Sequence, residues 1–460
     1  MTIAPPESLS ALPSGLPPVE RHARIPAGFR AGGATAGIKA SGRPDLAIIA
    51  TLPDEDGRPT LASAAAVFTP NAFAAAPVRL SKAHLAATGG RVAAVISTSG
   101  SANAATGSAG DADQARIGED VAAALGFADR PESVLHLSTG VIGTRLPLDR
   151  VAAGIATLVP SLAATDEGLE AAAVALRTTD SRTKTATTTI TVTQPEGLAV
   201  RSIRVTGIAK GVGMIHPRMA TMLAVLLTDA SVEPGVLRSL LRPAAARTWD
   251  QLSVDGDTST NDTVFLLASG AGGGVGIAAG SADAQSLGAA IEAVARDLAR
   301  QQAADGEGAT TLITCQVSGA VDDAEARAVA RSVISSSLVK AAAHGRDPNW
   351  GRIAGAAGNA RLADAAVLEA AGLSAGEARE RAGQAAVVDP DRLRIAIAGH
   401  LVFDGSRGGP ISFDRVAARA AMEGPELLLR LDLGLGDGTG EAFGCDLTEA
   451  YVVENSEYTT

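Results

Sequence analysis

The residue types that could do chemistry centre on the stretch KGVGMIHPRMATMLAVLLTDA, Lys210 to Ala230. A lone threonine, Thr221, stands where a polar segment containing Gly and Pro meets the apolar run Met222–Leu227. Threonine there serves as a cap or a strand-opening residue. It also carries a hydroxyl, which is a weak nucleophile until a neighbouring base activates it. If Thr221 Oγ1 attacks the carbonyl of Ala220, an N→O acyl shift gives an ester, and water then frees Thr221 as a new N-terminus. Its α-amine, with a pKa near 8, can then act as the base. The small side chain of Ala220 leaves the carbonyl open, and β-branching holds Oγ1 in a restricted set of rotamers.

Other segments offer partners for such chemistry, each with a plainer reading beside it. LSTGVIGTRLP (137–147) puts Thr139 and Gly140 after an apolar stretch. A Thr-Gly pair in a tight turn either lies on the surface or aims a hydroxyl and an N–H at one point, as an oxyanion hole requires. DGEG (305–308) sets Glu307 between glycines, in a solvated loop or packed to meet an amino group. VDGDTSTND (254–262) has three carboxylates but not the spacing of an EF-hand, and Asx-type turns account for it. The Gly cluster 268–280 has one dinucleotide-like register, Gly274-x-Gly276-x-x-Ala279, but reads better as a flexible loop. No GxxxxGK[ST] phosphate loop occurs. DPNWGR (347–352) reads as a rigid turn before a packed Trp350. The terminus EAYVVENSEYTT is either a frayed tail or a docking strand that brings Asn455 and Thr460 to a useful place.

The elements that must position these groups follow from composition and pattern. The chain is 46% hydrophobic and 19% charged, which is globular, and only 3% aromatic, so its core is built of small and branched aliphatics. A net charge of −11 argues against general affinity for nucleic acid or anionic membranes. Two cysteines and six unclustered histidines support neither a disulfide framework nor a metal site. No apolar run approaches the roughly 20 residues needed to span a bilayer, and residues 1–25 read as a Pro-rich disordered tail without signal-peptide features. A soluble, cytoplasmic protein is expected. Strands are predicted at 45–52, 64–70, 92–98, 183–194, 263–270 and 310–321, with more in RLRIAIAG, HLVFDG and ELLLRLDLGLG. Helices are predicted at 111–127, 286–308 and 323–345. The mixture has no strict βαβ rhythm, so a layered α/β (mixed α+β) body is expected.

From about Gly28 to Thr460 the sequence resembles the ornithine acetyltransferases of arginine biosynthesis, the glutamate N-acetyltransferase family, and their secondary-metabolism relatives. Matching pieces, in order, include GFRAGGATAGIKASGRPDLAII, STGVIG, TTDSRTK, KGVGMIHPRMATMLAVLLTDA, DGEGAT, LVKAAAHGRDPNWGRIAGAAG and FGCDLTEAYVVENSEYTT. The resemblance implies an N-terminal-nucleophile-like, autoprocessed fold, cut between Ala220 and Thr221 into an N-terminal chain (26–220) and a C-terminal chain (221–460). Thr221 is then the nucleophile of a ping-pong transfer of acetyl from N2-acetylornithine to glutamate. It implies an oxyanion hole at Thr139 and Gly140. It implies substrate contacts at Thr178, Thr179, Lys210, Glu307, Asn455 and Thr460. The family implies no metal or organic cofactor, although some relatives take acetyl-CoA as donor, and a dimer of two-chain protomers (α2β2). In the segment TSGSANAATG (98–107), Thr98 and Ser101 replace family asparagines and Ala105 a cysteine. His216 and Arg218 replace a small or acidic residue and Asn, and Thr311 stands where Lys is common. These departures leave the nucleophile and oxyanion residues in place and bear on which amino acid is used. The alternatives are a relative that transfers or hydrolyses a different N-acyl amino acid in specialised metabolism, and an uncleaved protein that only binds.

Overall fold

The computed structural model describes residues 15–192, 201–216 and 222–457. Ala220, Thr221, Arg218, Tyr458 and Thr460 lie outside the described residues.

Three sheets form the frame. The first holds β1 (Phe29–Ala34), β2 (Leu46–Thr51), β5 (Ala94–Ser101) and β6 (Val134–Val141), in that spatial order. The second runs β4 (Arg91–Val92), β3 (Ala62–Phe68), β11 (Thr263–Ala268), β9 (Leu223–Thr228), β8 (Arg201–Lys210), β7 (Lys184–Val192). The third runs β10 (Leu252–Ser253), β17 (Gly438–Cys445), β12 (Leu312–Ala320), β16 (Glu426–Asp432), β13 (Arg394–Ile397), β14 (His400–Asp404), β15 (Gly409–Pro410).

The apolar run after Thr221 becomes β9, and all six of its residues are buried. Side chains alternate across a strand, and here both faces meet a core. Leu223, Val225 and Leu227 pack on Ile49, Val95, Leu135 and Leu137 of the first sheet. Ala224 and Leu226 pack on the helices Pro234–Arg247 and Ala282–Ala304. The outer face of the first sheet, with Leu46, Ile48 and Ile96, meets the helices Gly107–Leu125 and Leu148–Leu158. The body is therefore helix–sheet–sheet–helix, the layered α/β class expected. Full burial contributes roughly 1.5–3 kcal/mol for each large aliphatic side chain, which fixes β9 between its neighbours. The third sheet builds its own core with the helices Asp323–Ser335 and Trp350–Gly358.

Four readings change. Pro18–Ile25 is not a loose tail: Thr188 Oγ1 donates to Pro18 O at 2.7 Å, Glu20 bridges Thr187, and Ala23 and Ile25 are buried. The single helix predicted for 323–345 is two, because Ser336 adopts an extended conformation and its hydroxyl caps Val339 N. The terminal YVV segment is not a strand but part of the helix Glu449–Glu457, opened by the Thr448 hydroxyl, which accepts from Tyr451 N at 3.3 Å. The Gly-rich stretch after β11 is a loop, yet it is pinned, since the amides of Gly272 and Ile277 donate to Asp229 O and Ser231 O. Those amides are used within the fold and do not form a phosphate cradle.

Candidate active site

A pocket of about 160 Å³ opens where the two stacked sheets end. It is lined by Thr139, Gly140, Thr178, Thr179, Lys210, Glu307 and Asn455, and also by Met222, the residue that follows Thr221 in the chain. Seven of the expected site residues, drawn from five separate stretches, thus meet in one place.

Thr139 and Gly140 lie at the end of β6, next to β5. The carbonyl just before them is held by Asn261, whose Nδ2 donates to Ser138 O at 2.8 Å and Ala102 O at 2.7 Å. Gly140 has φ +130°, and a Cβ there would lie 2.3 Å from the Gly100 carbonyl carbon, so only glycine fits. Lys210 ends β8 and donates from Nζ to Thr139 Oγ1 at 3.0 Å. An ammonium can only donate. The Thr139 hydroxyl therefore accepts from Lys210 and keeps its own proton for another acceptor, which is the orientation an oxyanion donor needs. Burial pushes the Lys210 pKa below its ordinary range, and the carboxylate of Asp180 works against that shift.

Glu307 is held from two sides. Thr179 Oγ1 donates to its Oε1 at 3.0 Å, and Asn455 Nδ2 to its Oε2 at 3.0 Å. Its backbone N donates to Val212 O at 2.9 Å, which lays the DGEG loop along the chain leaving β8. A Cβ on Gly213 would sit 2.1 Å from Glu307 Oε2, so a glycine here makes room for the carboxylate. Gly308, at φ +67°, packs against Tyr451 N of the terminal helix, and Thr448 Oγ1 donates to Gly308 O at 2.7 Å. That contact brings Asn455 to Glu307.

Sequence reading missed the groups that brace this array. Lys184, fully buried, donates to Asp180 Oδ1 and to Asp305 Oδ2, each at 2.6 Å. Asp180 accepts in turn from Gly211 N at 2.8 Å and Thr178 N at 3.1 Å. Burial alone would raise the Asp180 pKa, but Lys184, Lys210 and the Gly211 amide outweigh it and hold it at about 2. Asp255, in the acidic loop considered above as a cation site, instead accepts from Ile215 N at 2.8 Å and Met214 N at 2.5 Å. This clamps Met214 at φ +52°, a conformation rare for a side-chain-bearing residue. The Asp180–Lys184 spacing of four lay in the TTDSRTK segment as a legible signal; Asp305, 121 residues away from Lys184, gave none.

The departures among the described residues lie elsewhere. Thr98 and Ser101 are buried inside β5, and Ser101 Oγ donates to Thr144 O at 2.7 Å. His216 Nδ1 lies 3.0 Å from Ser253 Oγ. Among the described residues, neither these three nor Ala105 and Thr311 line the pocket.

A sequence model described as the ArgJ family matches residues 30–460. The chain is 43% identical over 437 residues to the arginine biosynthesis bifunctional protein ArgJ of Thermus thermophilus, covering 95% of this chain and 99% of that one. It is 41% identical over 451 residues to the protein of that name from Synechocystis, covering 96% and 98%. Among solved structures, the ArgJ protein of Bacillus halodurans matches at 36% identity and a TM-score of 0.44, over 52% of this chain and 100% of that one. The ornithine acetyltransferase of Mycobacterium tuberculosis, solved with ornithine, matches at 40% identity and a TM-score of 0.38, over 44% and 99%. With a family match over nearly its whole length and identities above 40% to full-length relatives, the chain belongs to the ArgJ family.

Proposed function

We propose that this protein is a glutamate N-acetyltransferase, moving an acetyl group from N2-acetylornithine to glutamate through an ester on Thr221. The chain first cuts itself between Ala220 and Thr221, by attack of Thr221 Oγ1 on the Ala220 carbonyl and hydrolysis of the resulting ester. The freed α-amine then takes the hydroxyl proton as Oγ1 attacks the acetyl carbonyl of the donor. The C–N bond breaks, the proton passes to the leaving amine, and ornithine departs. Glutamate's amine attacks the ester and restores Thr221. Each tetrahedral oxyanion is met by the Thr139 hydroxyl and the Gly140 N–H. Lys210 attracts a substrate carboxylate, and Glu307, oriented by Thr179 and Asn455, attracts the substrate ammonium. Thr178 and Thr460 complete the substrate contacts. Nucleophile, base and oxyanion donors all come from the chain, so the reaction runs without a metal or organic cofactor, and acetyl-CoA is an alternative donor. The working unit is a dimer of two-chain protomers (α2β2).

The observation that carries this reading is the single pocket shared by an oriented Thr-Gly pair, a buried lysine, a held carboxylate and Met222. Membership in a family of arginine-biosynthesis proteins supports it, as does the absence of the departing residues from the described pocket lining.

On a denaturing gel the purified protein should give two bands of similar size, one with the N-terminal sequence TMLAV. Thr221→Ala should give one band and no transfer. Mass spectrometry after mixing with N2-acetylornithine should find an acetyl ester on Thr221. A single wild-type band from active protein would refute self-cleavage, and an unmodified Thr221 in a turning-over enzyme would refute the ester.

A further inference from the structure

A second concavity lies across the Met214–His216 segment from the catalytic pocket: Met214 lines one and His216 the other. It has two lobes, of about 830 and 400 Å³, which share His216, Arg331 and Arg361. The first turns of two helices, Ser337–His344 and Trp350–Gly358, border the larger lobe through Leu338 and Arg352. Helix N-termini carry partial positive charge.

The side chains add to that field. Arg352 donates to Leu338 O at 2.9 Å and Arg361 to Gly383 O at 3.3 Å, and among the described residues neither has a carboxylate partner. Arg327, 7% exposed, lines the smaller lobe; its Nη2 has no hydrogen-bond partner and its nearest carboxylate, Asp323, is 3.9 Å away. A guanidinium this buried and this weakly paired calls for an anion. The acid on the lining, Asp364, is used in capping the helix Ala365–Ala370, where it accepts from Val367 N at 3.0 Å. In a chain of net charge −11, this concentration of guanidinium groups stands out. Apart from the His216 imidazole, no aromatic ring lines either lobe among the described residues. Trp350 stacks instead on Phe403, with ring centroids 5.0 Å apart. The groove therefore reads negative charge.

We propose that this groove binds a phosphate-class oxyanion, a diphosphate or the diphosphate arm of a small metabolite. Arg352 and Arg361 grip its oxygens at the mouth, and Arg327 supplies positive charge at the floor. Planar guanidinium forks match phosphoryl oxygens in pairs, and two lobes joined at Arg361 suit two linked phosphoryl groups. The site does not depend on the Thr221 chemistry.

Titration calorimetry of the full-length protein with sodium pyrophosphate tests it, with ADP as a second arm. Wild type should bind pyrophosphate saturably, more weakly as salt rises. Arg352→Ala/Arg361→Ala should weaken binding by about tenfold or more for each guanidinium removed. Arg352→Lys/Arg361→Lys, which keeps the charge but loses the fork, should fall between, and it carries the comparison if the alanine pair does not fold. Arg116→Ala, at an exposed arginine paired with Asp120, should bind as wild type. Binding of ADP as well identifies an organic diphosphate as the ligand, and binding of pyrophosphate alone identifies the free ion. No saturable heat from wild type, or equal binding by both arginine pairs and wild type, would overturn the site.

Discussion

Gly213→Ala should raise the KM for the amino-acid substrate while leaving the fold intact. The added Cβ would lie 2.1 Å from Glu307 Oε2, and ordinary contact begins near 3.4 Å, so the carboxylate must retreat by about 1.3 Å (3.4 − 2.1). Its two bonds, from Thr179 and Asn455, are each 3.0 Å long and cannot both survive that displacement. The substrate ammonium then loses a charge-assisted contact worth roughly 1.5–3 kcal/mol. That predicts a fall in kcat/KM of about 10- to 150-fold, mostly in KM because the contact is made in ground and transition states alike. Stability should change by about 1 kcal/mol or less, since Gly213 is outside the left-handed region and the clashing group is the end of a flexible side chain. Initial rates over a range of acyl donor concentrations, with urea unfolding on the same preparation, measure both quantities. Glu307→Gln provides the companion variant. Wild-type kcat/KM in Gly213→Ala, or a loss there that Glu307→Gln does not share, would refute the role given to this carboxylate.

Thr139→Val keeps the shape of the side chain but removes the hydroxyl; kcat should fall by about 10²–10³ with little change in KM, and an unchanged kcat would remove Thr139 from the oxyanion hole. Lys184→Met removes the buried cation that Asp180 and Asp305 share, which should cost about 3–5 kcal/mol in urea unfolding. Because Asp180 is held at about 2 against an ordinary 3.8, its ionisation stabilises the fold fully above 3.8. That increment is lost as pH falls toward 2, so acid unfolding of Asp180→Asn should be flatter between pH 4 and 2, and an identical profile would exclude the linkage.

The layered architecture was legible because uninterrupted apolar runs such as those of β2 and β9 must be buried on both faces, and that requires stacked layers. The terminal helix was not legible: Tyr451-Val452-Val453 has strand-like composition, but the Thr448 hydroxyl caps a helix and Val452 and Val453 remain more than half exposed. The site residues themselves were assigned by resemblance, since hydroxyls and glycines in loops carry weak signals one at a time. What spacing could not reveal was their support. Lys184 reaches Asp305, and Asn261 reaches Ser138, across more than a hundred residues in each case, and only the folded sheets bring them together. Read from sequence, the departures from family pattern bear on the substrate, yet Thr98 and Ser101 are buried within β5.

The position of β9 has a consequence for reversibility. It lies inside the six-stranded sheet, paired with β8 from before Thr221 and with β11 from after it. If the peptide bond ahead of it is cut as proposed, the two pieces remain interleaved, and neither can leave without tearing the sheet apart. Refolding, however, becomes a meeting of two molecules instead of the collapse of one. Recovery from denaturant should then depend on protein concentration for the cut form and not for the uncut one, so that the intact chain acts as a template needed only once.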